Sequence, residues 1–395
     1  MRILLLNANR AGVGTYHRAL WFGRELAAGQ HHVTLMTVSN VNRFISLVRT
    51  DHSGMTIIEC PKWLDEMLPW HASGPLDIVR RIWEIVANRY EVVYAFEYQP
   101  NVSVPVFLTR LLKRFTLISD WCDWHAGASY HFGGHRWAHA VDRVFEEFIR
   151  HRADHVTVIN YVLRDRALSI GIPPERISVV REGVDAEYIR PMSPAAARER
   201  LALPADAAIL GTIRDSNAGL AVLLEGVRLA ARRVPNLRLL FIGTPPNEMA
   251  ALASQHGVVD RLIAPGRVSD EDLPYYLGAA DVLALPLADT LVNRGRWPHK
   301  LGDMLAAERP VIVSAGGEFP EMIRARNCGR LVPFNGEAYA AALVDLLEYP
   351  EAAAELAQRG RRLMMDEFNW VKIGHQLREV IQKVANHETF PEWAG

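Results

Sequence analysis

Cysteine is scarce and scattered, with Cys60, Cys122 and Cys328 the three in 395 residues. Odd in number, far apart and in no C-x-x-C pair, they argue against a disulfide framework and a thiolate zinc site and point to a reducing compartment. Net charge is missing as well, since 44 basic and 45 acidic side chains nearly cancel. No global field therefore draws the chain to nucleic acid or to an anionic membrane. Long apolar runs are absent too: Ile3-Leu4-Leu5-Leu6 is too short for a signal-peptide core or a membrane span. No low-complexity tract or short repeat interrupts the chain. These absences predict a soluble cytoplasmic protein without a nucleic-acid partner.

What is present is a repeated pattern. Short apolar runs of buried-strand length recur at Arg2–Leu6, His32–Thr37, Val92–Ala95, Phe115–Ser119 and His155–Ile159. A second series occupies Ala208–Thr212, Leu237–Ile242, Arg261–Ala264, Val282–Leu285 and Val311–Ser314, with helical patterns such as Leu220–Arg233 between strands. The length suits two α/β domains. Glu187–Ala207, with Pro191, Pro194 and Pro204, reads as the linker between them. Trp370, Ile373, Leu377, Val380 and Ile381 form one apolar helical stripe near the end, with Asn369 as its cap.

Three stretches are suited to binding chemistry. After the first strand, Gly12 and Gly14 lie in Asn9–His17, where glycine lets backbone amides approach a phosphate or sugar, although a plain tight turn is the alternative reading. Arg214 ends the strand Gly211-Thr212-Ile213, at the edge where open α/β sheets bind ligands, and a guanidinium there can fork onto a diphosphate. The richest stretch is Arg294–Val313. Pro298 can start a helix whose first turn holds Lys300, with Asp303 one turn on. A cation and free amides suit a diphosphate, and a carboxylate suits a ribose diol.

At Trp297-Pro298-His299-Lys300-Leu301-Gly302-Asp303 with Arg309-Pro310-Val311, at Gly316–Met322, and at Arg152–Val158, Ile172–Ile177, Glu182–Asp185, Gly266–Val268 and Ala279–Val282, the sequence resembles glycosyltransferase family 4. The likeness runs through nearly the whole chain. It implies a GT-B fold of two Rossmann-like α/β domains with parallel sheets facing a central cleft. The expected division is residues 1–190 for an acceptor-side domain, 191–368 for a donor domain and 369–395 for a helix crossing back. The resemblance further implies a retaining glycosyltransferase, hexosyltransferase-like, that moves a sugar from a nucleoside diphosphate sugar to a carbohydrate, lipid-linked or small-molecule hydroxyl acceptor. No cofactor or metal is implied. Arg214, Arg296 and Lys300 would stabilise the leaving diphosphate, Asp303 would hold the ribose, and main chain around Arg267 and Val268 would read the base. Asp120, with His125 second, would act on the acceptor or at the anomeric carbon.

Two positions depart from the family pattern. Gly295 stands where the first glutamate of a Glu-x7-Glu pair is usual, and Ala218 replaces a lysine. They keep open a catalytically inactive sugar-nucleotide-binding protein, and a non-hydrolysing sugar-nucleotide epimerase uses the same fold. Asp120 and Asp123 form the one carboxylate pattern that resembles a metal site. The basic run Leu108–Phe115 leaves a peripheral contact with anionic lipid open, beside the simpler reading of a helix with solvated charges. Histidines 131, 135 and 139 have helical spacing, but Gly133 and Gly134 interrupt the helix they would need.

Overall fold

The computed structural model describes residues 1–395 except 42–43, 64–73, 125–135, 214–216, 315, 317 and 387–395, with the side chains of 136–142 and 217 also left aside. The chain forms two compact units. The first comprises Met1–Glu182, Gly295–Trp297 and Trp370–Gly395; the second comprises Gly183–Arg294 and Pro298–Asn369.

The first unit is built from β1 (Arg2–Arg10), α1 (Tyr16–Ala28), β2 (His32–Val38), β3 (Leu47–Thr50), β4 (Thr56–Cys60), α2 (Pro75–Ala87), β5 (Val92–Phe96), α3 (Pro100–Arg110), β6 (Thr116–Trp121), α4 (Arg136–Arg152), β7 (His155–Val158), α5 (Tyr161–Ser169) and β8 (Ile177–Val179). Its eight strands lie in the order β3-β4-β2-β1-β5-β6-β7-β8, parallel except for the β3–β4 pair. Ile3–Leu6 and Val92–Phe96 are buried throughout, which is what continuous apolar runs in a two-sided parallel sheet require.

In the second unit come α6 (Pro194–Leu201), β9 (Ala208–Ile213), α7 (Asn217–Ala230), β10 (Leu237–Ile242), α8 (Met249–Gln255), β11 (Leu262–Gly266), α9 (Leu273–Ala279), β12 (Val282–Leu285), α10 (Leu291–Arg294), α11 (His299–Ala306), β13 (Val311–Ser314), α12 (Phe319–Arg326), β14 (Arg330–Val332), α13 (Gly336–Glu348) and α14 (Pro350–Glu367). The six strands are all parallel, in the order β11-β10-β9-β12-β13-β14. The proline-rich stretch read as a linker is folded. Pro194 starts α6, and its buried Arg198 donates to the Ala279 carbonyl at 3.0 Å and to Asp281 at 2.7 Å.

A last helix, α15 (Trp370–Ala385), belongs to the first unit. Trp370, Ile373, Leu377, Val380, Ile381 and Val384 point into the same core as Ile3, Leu5, Phe22, Leu35 and Phe96. Trp370 stacks on Trp21 at 5.5 Å and meets Phe22 edge-on at 6.2 Å. Each such side chain stabilises the unit by about 1.5–3 kcal/mol on burial, so α15 is integral to that core.

Candidate active site

In the second unit the strand sequence runs one way through β9, β10 and β11 and the other way through β12, β13 and β14, reversing between β9 and β12. Open parallel sheets bind ligands at strand carboxyl ends beside such a reversal. β9 ends at Ile213, and Arg214, next in the chain, lies outside the described residues. The loop after β12 is pinned by Ser314 at the end of β13, whose hydroxyl accepts from the Leu287 amide at 2.8 Å and donates to the Leu287 carbonyl at 2.7 Å. Gly316 packs against the same loop so closely that an added Cβ would lie 2.9 Å from the Ala288 carbonyl oxygen.

That loop leads through α10 into α11. Pro298 is its N-cap and supplies no side-chain cap, and the Leu301 amide donates to the Pro298 carbonyl at 2.9 Å. Lys300 and Asp303, three residues apart on this helix, share one face and are both half-buried. Arg294 is drawn elsewhere, since its guanidinium forks onto Asp289 with two contacts of 2.6 Å. Arg267 is exposed and Val268 half-buried just after β11, the outer strand, with β10 between them and β9. They are therefore not brought to the reversal itself.

The first sheet reverses between β1 and β5, and the glycine loop sits on the end of β1. Gly12 and Gly14 have φ of +77° and +58°, a region that disfavours any Cβ. A polar ladder sets the loop's path. Asn9 Nδ2 donates to Thr15 Oγ1 at 2.8 Å, Thr15 Oγ1 donates to Asn7 Oδ1 at 2.7 Å, and Asn7 Nδ2 reaches Thr37 Oγ1 at 3.1 Å.

Asp120 falls inside β6, not in the loop after it as the strand boundary at Ser119 implied, and it has no exposed surface. Arg18 forks onto it at 2.8 and 3.0 Å, and Thr157 Oγ1 donates to it at 2.7 Å. The same guanidinium donates to the carbonyls of Val180 at 2.7 Å and Arg181 at 2.9 Å, and reaches Glu182 at 3.3 Å. Burial lowers a guanidinium's affinity for its proton, but Asp120 and Glu182 outweigh it and the Arg18 pKa is raised. Glu182 holds the weaker contact, so burial pushes its carboxyl up to about 7, only partly offset by Arg18. Asp120 thus meets Arg18 and Thr157 and not open space. The sequence signal for Arg18 was available but faint, a lone cation four residues before Phe22 on the apolar face of α1.

Beside it, Glu97 follows β5 at φ +69°, rare for a residue with a side chain. Its carboxylate accepts from Cys122 Sγ at 2.8 Å and from the Cys122 amide at 3.3 Å, and pairs with Arg150 at 3.4 Å. Burial raises the Glu97 pKa against the pull of Arg150, and burial beside Glu97 and Asp120 keeps Cys122 a thiol. Glu97, Cys122 and Asp123 offer ligand atoms within 4.8 Å of one another. Since Arg150 already balances Glu97, the group fits a hydrogen-bonded network better than a cation. His125 lies outside the described residues. Arg296 is grouped with the first unit, where its carbonyl accepts from Asn160 Nδ2 at 3.5 Å. Next to it the Arg181 guanidinium lies 5.1 Å from the Tyr161 ring and 5.8 Å from the Trp297 ring.

Residues 205–349 match the family described as Glycosyl transferases group 1, and residues 12–183 match the Glycosyl transferase 4-like domain. The D-inositol 3-phosphate glycosyltransferase of Saccharomonospora viridis is 30% identical over 60% of this chain and 57% of its own length. The GDP-mannose-dependent alpha-(1-6)-phosphatidylinositol monomannoside mannosyltransferase of Mycolicibacterium smegmatis is 28% identical over 58% of this chain and 62% of its own. The chain spans about three-fifths of the length of the curated relatives it matches. Among solved structures, sucrose-phosphate synthase from Thermosynechococcus elongatus superposes with a TM-score of 0.78 over 98% of this chain and all of its own, at 19% identity. Anabaena HepE, in complex with UDP and glucose, gives 0.73 over 97% of this chain and all of its own, at 16% identity. At that identity the likeness establishes the fold.

Proposed function

We propose, from the premise that the chain belongs to the group 1 glycosyl transferases and carries their GT-B fold, that it transfers a sugar from a nucleoside diphosphate sugar to a hydroxyl acceptor with retention of configuration. The observation that carries this reading is the placement of Lys300 and Asp303 on one face at the start of α11, reached from the loop beside the strand reversal of the second unit. A diphosphate gathers negative charge as the glycosyl bond breaks. Lys300, the N-terminal dipole of α11 and Arg214 supply fixed positive charge and dipoles for it. Asp303 accepts from the ribose hydroxyls, and the main chain at Arg267 and Val268 reaches the base. Gly12, Gly14 and Arg296 remain candidates for donor contacts. Asp120 serves as a positioning residue through Arg18, and His125 as the acceptor-side imidazole. No metal or cofactor enters the step.

The second reading, a sugar-nucleotide-binding protein without turnover, is favoured by Gly295 and Ala218 alone. Titration calorimetry with nucleoside diphosphates and their sugars, followed by product analysis over an acceptor panel, separates the two. Lys300→Ala is expected to weaken diphosphate binding by about 1.5–3 kcal/mol, the worth of a charge-assisted hydrogen bond, with the fold intact. Unchanged affinity for every diphosphate would remove Lys300 from the site.

A further inference from the structure

The chain enters the second unit at Gly183 through a turn that is tied down along its backbone. The Val184 amide donates to the Phe368 carbonyl at 2.7 Å, and the Ile189 amide donates to the Asp185 carbonyl at 2.8 Å. Asp185 Oδ1 accepts from the Tyr188 amide at 3.0 Å. The turn lies against α11: a Cβ on Gly302, the neighbour of Asp303, would meet Val184 at 3.7 Å. Arg361 of α14 fastens the two together, donating to the carbonyls of Ala186 at 3.1 Å and Ile189 at 3.0 Å and also to the Ala306 carbonyl of α11. Ile189 is buried. The Tyr188 side chain takes no part in these bonds, and its ring stands 40% exposed on a turn whose backbone is held in place.

The charges around the ring show what it stands between. Partial burial and then the carboxylates of Asp270, Glu271, Asp185 and Asp303 raise the pKa of the Tyr188 phenol, which keeps its proton and can donate it in a hydrogen bond. Asp185 belongs to the turn itself and Asp303 to α11, while Asp270 and Glu271 come from the loop that follows β11. Tyr188 therefore joins the helix with Lys300 and Asp303 to the loop with Arg267 and Val268, two places that the strand order alone holds apart. A nucleoside whose ribose lies on Asp303 and whose base lies toward that loop passes this ring, which offers it a flat apolar face and a hydroxyl. The company of the ring also bears on the base. A carboxylate only accepts. Guanine presents N1–H and its N2 amine side by side, a pair that one carboxylate accepts together, whereas uracil flanks its single N–H with two carbonyl oxygens that a carboxylate repels.

We propose that Tyr188 is a specificity-determining residue of the donor site, its ring packed on the nucleoside with Asp270 and Glu271 at the base, and that the donor is a guanosine diphosphate sugar. The inference rests on the reading that Lys300 and Asp303 hold a nucleoside diphosphate. Its test is titration calorimetry of the full chain with GDP, inosine diphosphate, UDP and inorganic pyrophosphate. GDP is expected to bind at least tenfold more tightly than UDP, with inosine diphosphate, which lacks the N2 amine, between them. Tyr188→Ala is expected to weaken GDP about tenfold, within the usual worth of stacking a base on an aromatic ring, and to leave pyrophosphate unchanged. Tyr188→Phe keeps the face and is expected to restore most of the GDP affinity, a rescue that separates stacking from a general loosening of the turn. Asp270→Asn with Glu271→Gln is expected to narrow the ratio of GDP to UDP affinity about tenfold. Lys300→Ala distinguishes this inference from the reading beneath it. If no diphosphate binds, or Lys300→Ala changes nothing, both fall. If Lys300→Ala weakens every diphosphate but Tyr188→Ala binds GDP as the wild type does, or if UDP binds as tightly as GDP, only the present inference is overturned. Should Tyr188→Ala fail to fold, the comparison of bases on the wild-type chain decides.

Discussion

Arg18 holds Asp120, Glu182 and two backbone carbonyls inside the first unit, so its removal strands two carboxylates in a place water does not reach. Breaking one side of a buried ion pair typically costs about 3–5 kcal/mol. Arg18→Met is expected to lose that much in urea unfolding, and Arg18→Met with Asp120→Asn less, because the second change removes one of the stranded charges. Glu182 adds a pH dependence. Its folded-state value of about 7 stands above the ordinary 4.5, so the folded protein binds this proton more tightly than the unfolded chain. The stabilisation is complete below about 4.5 and is lost as pH rises through about 7. Glu182→Gln, neutral at every pH, is expected to flatten that part of the stability profile. An unchanged slope of urea midpoint against pH would mean that Glu182 is ionised in the folded protein.

The elements divide by how local their causes are. β1, β5, β9 and β12 are apolar runs buried on both faces, and this kind of order is visible in a few consecutive residues. β3, with all four residues exposed, and the three-residue β8 and β14 carry no such run and were not legible. α6 was hidden by its prolines, one of which is the helix start itself. The start of α11, with Lys300 and Asp303 on it, was legible because a proline at a helix start is a local pattern. Arg18 with Glu182 was not, since 164 residues separate the partners and only the folded sheet joins them. The glycine loop is local again. Gly14→Ala would place a side chain at φ +58° with its Cβ 2.7 Å from Asn9 Nδ2. A cost of about 1–3 kcal/mol is expected in thermal unfolding, with the Asn9–Thr15 hydrogen bond as the first casualty.

At the scale of the whole molecule, charge stabilisation assigned to arginine, lysine and helix amides leaves a divalent ion without a task in the chemical step. Transfer activity is expected to survive exhaustive chelation. Loss on chelation with rescue by magnesium or manganese would turn attention to Glu97, Cys122 and Asp123. The placement of α15 bears on how the protein is made. The first unit's sheet is complete by Val179, yet its core lacks Trp370, Leu377 and Ile381 until residues some 200 positions later have been synthesised. At the usual pace of translation that interval is about 10–40 s. During it the apolar faces of α1 and β2 wait uncovered, whereas the second unit is complete at Asn369, before Trp370 is made. Chains arrested on the ribosome before Trp370 emerges should therefore be cut readily by protease within residues 1–182 and resist it within the second unit, so that the half of the protein begun first is the half finished last.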